Sequence, residues 1–319
     1  MLAASHLVRR FGPRTAVDDV TFEVKAGEVF GLLGPNGAGK TTTLRMLGGL
    51  IPPTAGEVLV DGVAIDPTTG PRLRARIGFL TETPGLWEQL TVADNIAVYA
   101  RLFGMPEVKT AVERSLRRFE LWDRRGDRAA LLSKGMKQKL ALARALVHDP
   151  DVVLLDEPTA NLDPQTSRDV RDLLIDLRGR GRAIVVSTHN LDEIERVADR
   201  VALISTRLVA VGEPSVLRRR IFGRRLTVHL ADGNGGASVA DLMAVAGRAG
   251  AQDVRRDTAG MSMVLDDPDA ATPAIVRALV QAGASIRAVF DNQPPLEDVY
   301  LRLLDPTTAD SPSGCGPDR

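Results

Sequence analysis

The stretch that most restricts this 319-residue chain is the apolar run Val29–Leu33 followed by Gly34-Pro35-Asn36-Gly37-Ala38-Gly39-Lys40-Thr41. The run is short, apolar and partly β-branched, so it reads as a strand buried on both faces of a mainly parallel sheet. The octapeptide fits G-x-x-x-x-G-K-[ST], and Lys40–Leu50 behind it is helical in pattern until Gly48–Gly49 and Pro52–Pro53 close it. Strand, glycine loop and helix together form the context in which such a loop wraps phosphate. The glycines let backbone N–H groups turn inward, and the helix N-terminus adds positive potential. Lys40 is expected to reach the β- and γ-phosphates of a nucleotide. Thr41 is expected to ligate Mg²⁺ through its hydroxyl, and Thr42 to bond an α-phosphate oxygen.

A phosphate loop of this kind needs a carboxylate near the metal. Val152–Leu155 is a second buried-strand pattern and delivers Asp156 at its carboxyl end, where ligands gather in open α/β sheets. Asp156 is expected to hold Mg²⁺ mostly through water. Glu157 follows and points elsewhere, because side chains alternate along a strand. It is placed to accept a proton from an attacking water. Ala183–Ser187 is a third such strand, and His189 ends it level with Asp156. A lone histidine is more often structural, but this position suits a donor to the γ-phosphate.

Similar alternation of apolar runs and helical patterns continues to about residue 205. Gln165–Leu177 is a helix with Asp163 as N-cap and Pro164 at its first position, and Asn190 caps Leu191–Ala198. Between about Glu82 and Pro150 strand patterns fade, and Asp94–Phe103, Val108–Trp122 and Lys137–Val147 read as a helical insert. Val201–Ile204 and Leu208–Val211 form a hairpin, and Pro214–Arg220 a short basic helix. Beyond residue 221 the character changes. Leu226–Leu230, Val239–Ala249, Val254–Arg256, Met261–Leu265, Ala274–Ala282 and Ser285–Val289 follow in the order β-α-β-β-α-β, with a Gly-rich turn at Asp232–Gly236 and a closing helix Leu296–Leu304. That order predicts a small α+β, ferredoxin-like domain. The expected division is 1–220, 221–305 and a disordered tail 306–319 rich in Pro, Ser, Gly and Asp.

Composition narrows the partners. Lys+Arg and Asp+Glu balance at 41 each, so nothing global points to nucleic acid. The single cysteine, Cys315, lies in the polar tail, which excludes a disulfide framework and favours a reducing compartment. No apolar run approaches the roughly 20 residues needed to cross a bilayer. The pair Arg9–Arg10 is followed by Asp18 and Asp19 rather than an apolar stretch, which argues against a twin-arginine signal.

Leu132-Ser133-Lys134-Gly135-Met136-Lys137-Gln138-Lys139-Leu140 opens a helix, with Ser133 as N-cap and Gly135 leaving room for close backbone approach. Read alone, it is either a second anion contact or an ordinary capped amphipathic helix.

Taken with the loop and the two strand ends, this segment makes residues 1 to about 220 resemble the nucleotide-binding subunit of an ATP-binding-cassette (ABC) transporter. Gly34–Thr41 is similar to the family's Walker A loop, Val152–Glu157 to Walker B, Leu132–Met136 to the signature Leu-Ser-Gly-Gly-Gln, Asn161-Leu162-Asp163 to the D-loop and His189 to the switch histidine. The resemblance implies ATP with Mg²⁺ as cofactors and a P-loop NTPase α/β fold. It makes Glu157 the catalytic base, and adds Ser133, Gly135 and Asp163 to the nucleotide contacts. Phe11 falls where the family stacks an aromatic ring on adenine, worth about 1–3 kcal/mol per base; its other reading is a core aromatic. The family's geometry implies a homodimer or heterodimer that sandwiches two ATPs between one subunit's Walker loop and the other's signature helix. It further implies a separate integral membrane permease and a cytoplasmic location on the inner face of the membrane.

This chain departs from the pattern in three places. Ile77–Glu82 ends in Glu82 where the family has a metal-binding Gln; a carboxylate still binds Mg²⁺, but adds negative charge near the γ-phosphate. Lys134 and Met136 replace two signature residues. Pro294–Leu301 resembles the ending of bacterial drug and multidrug exporter ATPases, which implies export. The competing expectation is a non-transport ABC ATPase, a regulatory or mechanical module acting on ribosomes or DNA. Such members fuse two cassettes or carry long coiled-coil inserts, and this chain does neither.

Overall fold

A computed structural model describes residues 1–231, 237–291, 298–299 and 302–303. The Asp232–Gly236 turn, most of the Pro294–Leu301 motif and of the closing helix Leu296–Leu304, and the 306–319 tail lie outside the described residues. The chain divides into two compact units, Met1–Glu213 and Pro214–Arg319. The break falls before Pro214 rather than after residue 220, so the basic helix Pro214–Phe222 goes with the second unit.

The first unit is built on a six-stranded sheet. Its order is Arg207–Gly212, Arg200–Ser205, Val29–Leu33, Ala183–Thr188, Val152–Asp156 and Ile77–Leu80. All pairings are parallel except the hairpin at the Arg207–Gly212 edge. Every residue of Val29–Leu33, Val152–Asp156 and Ala183–Thr188 is buried. That is why these strands read as continuous apolar runs: both sheet faces are covered, and an alternating strand would bury polar groups.

A second sheet was not apparent from the sequence. Arg14–Val24, Leu2–Phe11, Ala55–Val60 and Val63–Ala64 pair antiparallel in that order. Their alternation is broken by register shifts between Ala4 and Arg10, and by His6 and Asp19, both at positive φ. Each shift flips the period-2 pattern to the other face, so no single period runs through the segment. Phe22 stacks on Phe30 with ring centroids 4.8 Å apart. One apolar core joins this sheet, the large sheet and the helix Lys40–Leu47, through Leu7, Phe22, Phe30, Leu44, Leu47, Val152 and Leu154.

The insert is helical as expected, with Val92–Leu102, Val108–Arg118 and Lys134–Leu146. Two of these helices start earlier than their apolar periodicity indicates, because their caps set the start. Thr91 accepts from the Asp94 N–H and Ser133 from the Met136 N–H. The helix expected to reach Trp122 stops at Arg118, and Trp122–Arg124 is a 3₁₀ turn.

In the second unit, strands Gln252–Asp257, Gly260–Leu265, Arg224–Leu230 and Ile286–Asp291 form an antiparallel sheet in that order. With helices Val239–Arg248 and Pro268–Gln281 this is the ferredoxin-like arrangement. Val228, Met261, Met263, Leu242 and Ile275 make its separate core. The second helix begins six residues before the expected Ala274, at Asp267 and Pro268, because the Asp267 carboxylate caps the Asp269 and Ala270 N–H groups. Among the described residues no helix is long and apolar enough to cross a membrane.

Candidate functional site

The carboxyl ends of the parallel strands open onto a cavity of about 550 Å³. Its wall includes Pro35–Thr42 of the glycine loop and helix start, Phe11, Glu82, Glu157 and His189. Most of the residues singled out from the sequence therefore meet at one place. Arg14, Ala16, Ala160 and Asn161 also line it. Asn161 belongs to the Asn161–Asp163 segment already singled out; Arg14, Ala16 and Ala160 carry no motif signal of their own, because their proximity depends on the N-terminal hairpin and on the turn after Glu157.

The loop's shape requires its glycines. Gly37 and Gly39 sit at φ 85° and 99°, in the left-handed region that disfavours side chains. A Cβ on Gly39 would lie 2.4 Å from the Ala16 carbonyl oxygen, and one on Gly34 would lie 2.4 Å from that of Ile204. Gly39→Ala is accordingly expected to cost on the order of 1–3 kcal/mol from φ alone. The expected result is a melting temperature at least about 2 °C lower, together with loss of nucleotide binding, read by calorimetry.

Lys40 is buried, and its ammonium donates to the carbonyl oxygens of Gly34 at 2.7 Å and Pro35 at 3.3 Å. It also lies 3.6 Å from Glu157 Oε1. The other oxygen of Glu157 accepts from His189 Nδ1 at 2.9 Å. Lys40, Glu157 and His189 thus form one continuous polar chain along the cavity wall. With Nδ1–H committed to Glu157, His189 needs both ring protons to donate to a phosphate as well.

Glu157 has φ 49°, an unfavourable conformation for a residue with a side chain. Its N–H donates to the Ser187 carbonyl at 3.0 Å and faces the Ser187 hydroxyl at 3.3 Å, which holds the turn. The reversal of direction swings the carboxylate out of the strand alternation and toward Lys40. Simple alternation, the reason given from the sequence for the divergence of Asp156 and Glu157, is therefore incomplete.

Asp156 is 2% exposed and does not line the cavity. The Ser187 hydroxyl donates to its Oδ1, a contact set by the parallel register that pairs Asp156 with Ser187. This withdrawn position suits a carboxylate that reaches a metal through water. Thr41 and Glu82 face the cavity directly.

Ser133, Gly135 and Asp163 stand apart from this cavity. Ser133 is an exposed N-cap. A Cβ on Gly135 would fall 2.7 Å from Thr166 Oγ1 and 3.6 Å from Asp163 Oδ2, so within one chain the space beside Gly135 is taken by Thr166 rather than by a ligand. Both oxygens of Asp163 are occupied by the Thr166 N–H at 2.9 Å and the Thr166 hydroxyl at 2.7 Å. The Thr166 N–H and hydroxyl hold the Asp163 carboxyl below the usual carboxylate range. Buried Gln138, on the helix that Ser133 caps, donates its amide to the carbonyl of Pro158, the residue after Glu157, at 2.7 Å.

A further cavity, of about 770 Å³, lies between the large sheet and the insert. Phe79, Tyr99, Leu102 and Phe103 line it, and the His148 ring stacks on Phe103 at 3.7 Å. Burial pushes the His148 imidazole below its usual range.

Residues 17–160 match the ABC transporter family model. The Nod factor export ATP-binding protein I of Rhizobium johnstonii is 36% identical over 298 residues, spanning 92% of each chain. A solved ATP-binding subunit of an ABC transporter is similar in structure at a TM-score of 0.65 and 30% identity, covering 76% of this chain and 97% of that one. The ATP-binding cassette MJ0796, solved as a dimer in a post-hydrolysis state with ADP and Pi, gives 0.61 and 27% over 67% of this chain and 98% of its own. By its relatives along nearly its whole length and by the fold around its glycine loop, this chain belongs to the ATP-binding subunits of ABC transporters, enzymes that bind and hydrolyse ATP.

Proposed function

We propose that the 550 Å³ cavity is one wall of an ATP site and that this subunit drives an exporter. The observation that supports the site most strongly is the chain Lys40–Glu157–His189 around the glycine loop. In this reading Phe11 stacks on adenine, and residues 34–42 cradle the phosphates with Lys40. Glu157 accepts the proton of the attacking water, and His189 orients the γ-phosphate. Catalysis of this kind is positioning and charge stabilisation rather than covalent chemistry.

Among the described residues no group of three His, Cys, Asp or Glu side chains is placed to cage a metal by itself. The oxygen donors of Thr41, Glu82 and Asp156 are the hard ligands Mg²⁺ takes, alongside the water and substrate oxygens that it keeps. Thr41 and Glu82 would hold it directly and Asp156 through water. When bound, it neutralises phosphate charge.

A second copy or a close relative completes the site. Ser133 and Gly135 lie on the exposed start of a helix away from the cavity, where their N–H groups and hydroxyl are available to a partner's nucleotide. Ser133→Ala is expected to leave ATP binding by a single chain within about twofold. Steady-state hydrolysis should fall at least about tenfold, in proportion to a lost charge-assisted hydrogen bond. Equal hydrolysis in the variant would remove Ser133 from the composite site.

Export is supported by the Rhizobium johnstonii relative that matches 92% of the chain, a protein named for Nod factor export. The permease would press on the insert and on the Glu82–Thr91 loop, where Trp87 and Leu102 are exposed. The subunit would then sit on the inner face of the membrane without crossing it. In this reading the unit Met1–Glu213 carries the ATP chemistry and the unit that begins at Pro214 has an accessory role. Recovery of an integral membrane protein with the tagged chain tests transport. Recovery only with ribosomes or DNA would replace it with the non-transport reading.

A further inference from the structure

We infer that Arg14 is a phosphate-binding residue of this site, gripping the α- or β-phosphate of the nucleotide. The inference rests on the reading of the cavity as the ATP site.

Phe11 and Arg14 are cross-strand partners on either side of the two-residue turn Gly12–Pro13, with Gly12 at φ 56°. Directly opposed residues in an antiparallel pair project to the same face, with their Cβ atoms about 4.5–5.5 Å apart. One hairpin tip therefore presents an aromatic ring and a guanidinium side by side, and both line the cavity. A nucleotide separates its base from its first phosphate by one sugar, so a ring that holds the base leaves its neighbour level with the start of the phosphate chain. The guanidinium is also close to the loop: a Cβ on Gly37 would meet Arg14 Nη2 at 3.9 Å.

The other cations nearby have other places. Lys40 sits at the far end of the loop, against Gly34, Pro35 and Glu157, where it would serve the β- and γ-phosphates. Arg9 lies 4.6 Å over the Phe11 ring and donates to the Pro52 carbonyl. Arg207 pairs with Asp18. Arg14 has no carboxylate within 4.0 Å among the described residues and is exposed at the cavity rim. A guanidinium suits this place because its planar fork binds two phosphate oxygens at once, with charge-assisted hydrogen bonds.

The test is equilibrium titration of the full chain with ATP and with ADP, comparing wild type, Arg14→Ala, Arg14→Lys and Lys40→Ala. Arg14→Ala is expected to weaken ATP and ADP by the same factor, about tenfold. Arg14→Lys keeps the charge but not the fork and is expected to recover only part of that loss, with the melting temperature of the nucleotide-free chain unchanged in both. If Arg14→Ala binds within twofold of wild type while Lys40→Ala loses binding, the Arg14 assignment fails and the loop reading stands. A loss confined to ATP overturns it too, since the α- and β-phosphates are common to both ligands. Equal losses in the Ala and Lys variants, with a lower melting temperature, would make Arg14 a packing residue. If Lys40→Ala binds as wild type, the ATP site itself has been misplaced.

Discussion

Glu157→Gln is expected to bind ATP with near wild-type affinity while turnover falls by about 10²–10⁴-fold, the usual contribution of a positioned general base. The substitution keeps the side chain's size and its hydrogen-bond reach to His189, 2.9 Å away. It removes the basic oxygen and the negative charge beside Lys40. Both changes favour a bound, unhydrolysed tetra-anion, so the variant should accumulate as an ATP-bound dimer. The measurements are single-turnover hydrolysis and size-exclusion chromatography with and without ATP. A wild-type rate in the variant would show that another group takes the proton.

Lys40→Ala should act one step earlier. Its ammonium is held by two loop carbonyls and by Glu157, on a residue that is 6% exposed. Charged hydrogen bonds from this ammonium to the β- and γ-phosphates would be worth about 1.5–3 kcal/mol each, so losing both is expected to lower ATP affinity at least about 100-fold. Removal also leaves the Gly34 carbonyl without its donor and Glu157 with His189 alone, so the nucleotide-free chain should melt lower as well. Titration calorimetry and thermal unfolding read the two effects separately. Unchanged affinity would overturn the loop assignment. The two variants are distinguishable: Glu157→Gln binds without turning over, and Lys40→Ala does not bind.

Much of this molecule was legible because its strands are buried on both faces. Val29–Leu33, Val152–Asp156 and Ala183–Thr188 admit no polar residue until their ends, so the polar end residues stand out. The β-α-β-β-α-β order of the second unit was readable for a similar reason, since its short apolar strands and amphipathic helices are cleanly separated. Helix bounds were less readable. Apolar periodicity reports the buried face, whereas Thr91, Ser133 and Asp267 set the start by capping. The N-terminal antiparallel sheet was missed because bulges at His6 and Asp19 break its period.

The glycine loop, its lysine and the two strand-end carboxylates are properties of the sequence, since each is tied to a local pattern with a single steric or electrostatic reason. Contacts that join distant segments are not. The left-handed turn at Glu157 depends on Ser187 from the next strand, and the withdrawn place of Asp156 depends on the register that pairs it with that same serine. Whether Phe11 was a core aromatic or a cavity residue was settled by a bulged hairpin, which puts the ring and Arg14 at the mouth of the site. Local propensity decides which residues form the loop. Register and packing between segments far apart in the chain decide what faces it, because those depend on distances that no single stretch of sequence contains.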